Sequence, residues 1–162
     1  MDPALEALSR QLGKAFSERG LTLATAESCT GGWVAELVTD TAGSSGWFDR
    51  GFVTYSNQAK TDMLGVLSDT VARFGAVSEE TALEMAAGAL ANSTADWAIS
   101  ITGIAGPGGG SSGKPVGTVC FGWCQRGAEP TSACLHFAGG RREVRQQAVV
   151  RAIQGLLERL GA

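Results

Sequence analysis

Two adjacent side chains that can act as nucleophiles, Ser28 and Cys29, sit in the segment Glu27-Ser28-Cys29-Thr30-Gly31-Gly32, between a β-leaning run and a helical one. At a helix start the backbone N–H groups lack intrahelical partners, so they can hold an anion or an oxyanion beside the attacking atom. Gly31 and Gly32 allow close approach of a ligand to the backbone. An N-cap serine followed by turn-shaping glycines fits the same pattern at least as well. A serine nucleophile also needs a base. His136, the only histidine, falls on the polar side of a late strand, where a surface or hydrogen-bonded role suits it better. That leaves lysine. Lys14 belongs to an amphipathic first helix and Lys114 to a glycine-rich loop, whereas Lys60 lies between Tyr55 and the apolar pair Met63 and Leu64. Only about one lysine in 2,500 is neutral at pH 7 with an ordinary pKa, so a lysine base requires burial or a neighbouring cation. Tyr55, the only tyrosine, could relay the proton or orient the pair. An exposed first-turn lysine remains the simpler reading of Lys60, and Cys29 remains a rival nucleophile because helix-start thiols have lowered pKa values.

The stretch Gly103 to Lys114 is dense in glycine but matches neither phosphate-binding fingerprint, since a strand rather than a helix follows it. Nucleotide hydrolysis and dinucleotide chemistry therefore lose support. Pro107 and Pro115 limit the segment, which favours a shaped loop over a free linker.

These residues need elements to position them. Leu5, Leu8, Leu12, Ala15 and Phe16 have helical spacing over residues 4–19, with Gly20 as a stop. Strands are expected at 21–26, 51–55 and 97–101, a helix at 33–39, and a loop at 43–46. Ser56-Asn57 can cap a short helix carrying Lys60. Ser78, Glu79 and Glu80 open another, with Leu83, Ala86, Ala87 and Leu90 as its apolar stripe. Residues 116–123 and 132–137 read as a hairpin, and 142–160 as a closing helix. The expected architecture is a single α/β domain over residues 1–162, a mixed sheet with helices on both faces. The loops at 27–32, 56–60 and 102–113 all follow strands, so they are expected to converge at one end of that sheet.

Composition narrows the functional classes. Thirteen Lys+Arg against sixteen Asp+Glu leave a net charge of −3, which argues against a nucleic-acid partner. Arg141, Arg142, Arg145, Arg151 and Arg159 crowd the C-terminal segment, compatible with a small anionic ligand. No apolar run is long enough to span a membrane, and the N-terminus lacks a signal-peptide pattern, so a cytoplasmic protein is expected. No CxxC pair is present, so a zinc site would need an unusual ligand set. Cys120 and Cys124 share one side of a strand, where they cannot bridge each other. Cys120, Cys124 and Cys134 are expected to be buried free thiols of a reducing compartment. Trp47 and Phe48, beside a Gly/Ser loop, suggest an exposed apolar patch for self-association.

Taken in order, Ala26 to Gly32, Gly43-Ser44-Ser45, Gly51 to Lys60, Gly75 to Ser78, Thr102 to Pro107 and Lys114 to Val119 resemble the C-terminal domain of the competence/damage-inducible protein CinA. The similarity runs from about residue 5 to 160, without the N-terminal molybdopterin-binding-like domain of full-length CinA. It implies hydrolysis of nicotinamide mononucleotide to nicotinate mononucleotide and ammonia, with no metal or organic cofactor; the alternative is a non-catalytic nucleotide sensor using the same pocket, and a homo-oligomer, a dimer favoured, is expected in either case. The family's nucleophile falls on Ser28 and its base on Lys60, with Tyr55 as a third catalytic position. Cys29, Thr30, Gly31, Gly32, Asn57, Thr102 and Gly103 fall at substrate-binding positions. Arg141 and Arg145 match the arginines of a GDRxxVR-like block and would suit a ligand phosphate. Gly140 replaces that block's Asp, so any cap or ion pair made by the Asp is lost.

Overall fold

The apolar spacing of Leu5, Leu12 and Phe16 becomes helix α1 (Pro3–Arg19) in the computed structural model, which describes residues 2–162. Asp2 caps its start and Gly20, in the left-handed region, ends it. Strand β1 (Leu23–Glu27) begins two residues later than expected, because Asp96 captures Thr22 through both its N–H and its hydroxyl. All five β1 residues are buried, as befits a central strand covered on both faces. Helix α2 (Trp33–Thr39) follows, then a single 3₁₀ turn at Ser44–Gly46 where a loop was expected. Strand β2 (Phe48–Val53) starts before Gly51 and ends before Tyr55. It is an exposed edge strand, so Asp49 and Arg50 hide it from a reading based on apolar alternation.

Helix α3 (Asn57–Leu64) is capped by Ser56, whose Oγ accepts from the Ala59 N–H at 3.0 Å. Helix α4 (Ser68–Phe74) was not anticipated; its start is held by Glu84, which accepts from the Leu67 N–H and the Thr70 hydroxyl. Helix α5 (Glu79–Ala91) buries Ala82, Met85, Ala86, Ala89 and Leu90, while Ala87 faces solvent. The expected stripe holds at Ala86 and Leu90 and partly at Leu83, and fails at Ala87. Gly88 accounts for this: it seats α5 directly on the Leu64 carbonyl at the end of α3, where a Cβ would collide.

Strand β3 (Trp97–Gly103) runs parallel to β1, and β4 (Thr118–Gln125) and β5 (Thr131–His136) add antiparallel to it as the expected hairpin. Helix α6 (Arg141–Leu160) closes the chain. The sheet order is β2-β1-β3-β4-β5. Leu12, Phe16, Ile99, Ile101, Phe121 and Ile153 form the core on the face covered by α1 and α6. On the other face, small Ala24, Ala26 and Ala98 let α5 and the end of α3 lie close. The result is three layers, α/β/α, as the sequence implied.

Two expectations fail here. Trp47 is buried against Phe16, its ring occupying the slot left by Gly13 on α1, so Trp47 and Phe48 form no exposed patch. Cys120 and Cys134 stand directly opposite across β4 and β5, with Cα atoms 4.1 Å apart, and are joined in a disulfide. Pairing across strands was invisible when only spacing along one strand was considered. Cys134 is on the exposed edge strand, and only Cys29 and Cys124 are buried free thiols. Among the described residues no helix is long and apolar enough to cross a membrane.

Candidate active site

β1, β2 and β3 are parallel and end at the same edge, so the three loops that follow them meet there. Ser28 is the first residue beyond β1; its N–H still donates to the Ile101 carbonyl, which extends the sheet's order to this residue. Lys60 is the fourth residue of α3 and is 1% exposed. Its Nζ is 3.1 Å from Ser28 Oγ and donates to the Thr54 carbonyl at 3.0 Å. The short run between β2 and α3 explains the reach, since only Tyr55 separates Thr54 from Ser56, the N-cap of α3. Burial pushes the Lys60 ammonium down from its usual value near 10.5, which raises the neutral fraction. The simpler reading, an exposed lysine, is wrong.

Cys29 lines the same cavity but is unsuited to the thiolate role suggested by its helix-start position. Burial pushes its thiol up to about 11, and the nearby Glu27 adds to the rise. At pH 7 only about one such thiol in 10,000 is ionised. The expectation of a lowered pKa is overturned, because Cys29 precedes α2 by four residues and sits against Gly103 instead of at the helix mouth.

A cavity of about 300 Å³ opens over this pair, large enough for a small ligand. Ser28, Cys29, Lys60, Thr102 and Gly103 form its base, and Tyr55, Asn57 and Arg141 its rim. Gly103 has no room for a side chain, a Cβ there falling 3.1 Å from Cys29 Sγ. Thr102 is buried and donates its hydroxyl to the Ala76 carbonyl, fixing the loop before α5 as another wall. Tyr55 is 63% exposed, its phenol oxygen receiving a hydrogen bond from Arg141 at 3.1 Å. Arg141 also donates to the Gly106 carbonyl at 2.7 Å, so it joins the strand β2 exit to the glycine-rich loop although Gly140 supplies no side-chain cap. The charged residues of this wall, Lys60 and Arg141, are both basic types. The glycine-rich loop is shaped, not free: Lys114 ties it to the Phe74 carbonyl at 2.6 Å.

Several residues assigned to substrate binding lie elsewhere. Thr30 is fully buried and turns its hydroxyl to Glu27. Gly31 and Gly32 have φ of 59° and 100°, so glycine serves the backbone turn there, away from the cavity wall. Arg145 stands behind the loop, donating to the Cys29 and Thr30 carbonyls and lying over the Trp33 ring. The parts that sequence reasoning missed are the Thr54 carbonyl, Ala76 and Val77, and the role of Glu27; only Glu27, three residues before Thr30, left a readable sign. His136 bonds to the Val116 carbonyl at the exposed sheet edge, as expected of a hydrogen-bonded histidine. A larger groove of about 650 Å³ along α6, lined by residues such as Phe137, Gln146 and Val150, contains no nucleophile. Among the described residues no three His, Cys, Asp or Glu side chains gather as a metal site.

Comparison with known proteins adds independent findings. Residues 5–160 match the model of the CinA C-terminal domain. A protein of Escherichia coli (strain K12) named nicotinamide-nucleotide amidohydrolase PncC is 56% identical over 155 residues, covering 96% of this chain and 94% of that one. One of the same name from Pseudomonas putida is 46% identical, covering 98% of each. The crystal structure of the competence/damage inducible protein CihA from Agrobacterium tumefaciens superposes with a TM-score of 0.96 at 47% identity, over all of this chain and 98% of the other.

Proposed function

The chain belongs to the CinA C-terminal domain family, and from that premise we propose that it is a nicotinamide-nucleotide amidohydrolase working through Ser28 and Lys60. The relatives named for that activity supply the substrate, and the observation that carries the chemistry is the buried Lys60 Nζ 3.1 Å from Ser28 Oγ. With the Thr54 carbonyl taking one of its N–H groups, a neutral Lys60 can turn its lone pair to the serine hydroxyl. Ser28 Oγ attacks the carboxamide carbon as its proton passes to Lys60. The C–N bond then breaks, and the leaving nitrogen takes that proton and departs as ammonia. Water, deprotonated by Lys60, cleaves the acyl-enzyme, and the proton returns to Ser28 Oγ. The N–H of Cys29, the residue after Ser28 on the cavity wall, is the donor proposed for the oxyanion; that of Gly31 is committed to the Ser28 carbonyl. The phosphate is assigned to Arg141, whose position on the cavity rim beside Tyr55 supports that role.

The test is ammonia release from nicotinamide mononucleotide by the purified protein. Ser28→Ala and Lys60→Ala are each expected to lose at least ~10³-fold in kcat with the fold retained, and Cys29→Ala to keep most of the activity. Turnover near wild type in either dyad variant removes that residue from the mechanism.

A further inference from the structure

The loop carrying Ser28 is gripped from two sides by groups that take no part in the steps above. Glu27 is 1% exposed, on the last position of β1. One of its carboxyl oxygens accepts from Thr30 Oγ1 at 2.6 Å and from the Val34 N–H at 2.9 Å. The other accepts from the Ala35 N–H at 3.1 Å, so the same side chain closes the start of α2, whose own N-cap Gly32 has nothing to offer. From α6, Arg145 reaches the opposite polarity: Nε donates to the Cys29 carbonyl at 3.0 Å and Nη2 to the Thr30 carbonyl at 3.3 Å. One loop donor, the Thr30 hydroxyl, and the first N–H groups of α2 are thus held by a carboxyl group, and two loop acceptors by a guanidinium from the far end of the chain. Neither side chain is on the cavity wall.

We infer that Glu27 and Arg145 are positioning residues that bracket the Ser28 loop and hold Ser28 Oγ in register with Lys60. This rests on the Ser28–Lys60 reading and adds to it a reason for the fixed geometry. Two glycines, with φ of 59° and 100°, make the turn intrinsically pliable. Removing one arm leaves buried polar groups unpaired, and the loop relaxes toward new partners. A displacement of about 1 Å between reacting atoms costs on the order of 10²-fold in rate. Because the bracket lies behind the cavity, the loss belongs in kcat and not in KM.

Wild type, Ser28→Ala, Glu27→Gln and Arg145→Met are compared by two readouts. The first is the rate at which a fluorophosphonate probe labels Ser28, followed by intact mass. The second is kcat and KM for ammonia release from nicotinamide mononucleotide. Arg145→Met retains an unbranched stem against Trp33, and Glu27→Gln is nearly isosteric; if Glu27→Gln melts below the assay temperature, Thr30→Val removes the hydroxyl arm alone. Both bracket variants are expected to label ~10- to 100-fold more slowly per folded molecule, with kcat reduced in parallel and KM within about threefold of wild type. Labelling within twofold of wild type in both variants overturns the bracket, whatever the ammonia result. If wild type labels at Ser28 yet releases no ammonia, the substrate reading fails while the labelling comparison still decides the bracket. If Ser28→Ala labels as fast as wild type, the dyad and the bracket fall together.

Discussion

Lys60 illustrates how burial that favours a neutral amine works against stability. Its pKa is lowered by burial in the folded state and ordinary in the unfolded one, so the unfolded chain binds more protons between the two values. The folded protein is therefore free of this penalty above about pH 10.5 and loses stability as pH falls through that window toward the folded value. Lys60→Met lacks the term. The stability of wild type relative to Lys60→Met should rise as pH is raised from neutrality toward 10.5, which urea melts at a series of pH values will measure. A flat difference means that Lys60 is not held toward its neutral form by the fold. Ser28, by contrast, was readable as a candidate from its neighbours alone, but whether it was a cap or a nucleophile depended on what stood opposite it. The Thr54 carbonyl, which carries no side-chain signature, is part of that answer.

Among the elements, α3 matters most to the site, because it carries Lys60 and is pressed into place by α5. Gly88 is the contact, with the Leu64 carbonyl where its side chain would be. Since both sides are backbone, neither can yield cheaply. Gly88→Ala should cost about 1–3 kcal/mol in denaturant melts and, by displacing α3, lower kcat as well. A stability change near zero would show that α3 floats on α5. The boundaries of α1, α2 and α6 and the start of α3 were legible because caps and apolar spacing act locally. Strand β2 and helix α4 were less so: β2 is an edge with little to bury, and α4 is fastened by Glu84, a partner that local spacing cannot announce. The α5 stripe failed at Ala87 for a related reason, since its buried side was selected by what it packs on.

In the molecule as a whole, β1 lies between β2 and β3, and the loops leaving all three form one cationic cavity on a chain whose net charge is −3. Further out, the Cys120–Cys134 disulfide ties the edge strand β5 to β4, in line with Thr102 on β3. Closing so short a loop contributes ~3 kcal/mol at most by chain entropy, and less here because the hairpin is already closed by its turn. Thermal melts with and without a reductant should therefore differ by a few degrees, with Cys134→Ser matching the reduced protein. Identical melts would mean that the bond adds nothing to the fold. What the sequence by itself determined was the alternation of helices and strands, the order of the loops, and the set of side chains able to do chemistry, because spacing, capping and turn residues act between near neighbours. Only the tertiary structure decided that Lys60 is buried beside Ser28, that Arg145 supports the loop from behind, and that Cys29 is a poor thiolate. Burial and long-range pairing are set by which elements stack, and no short window of sequence contains both partners.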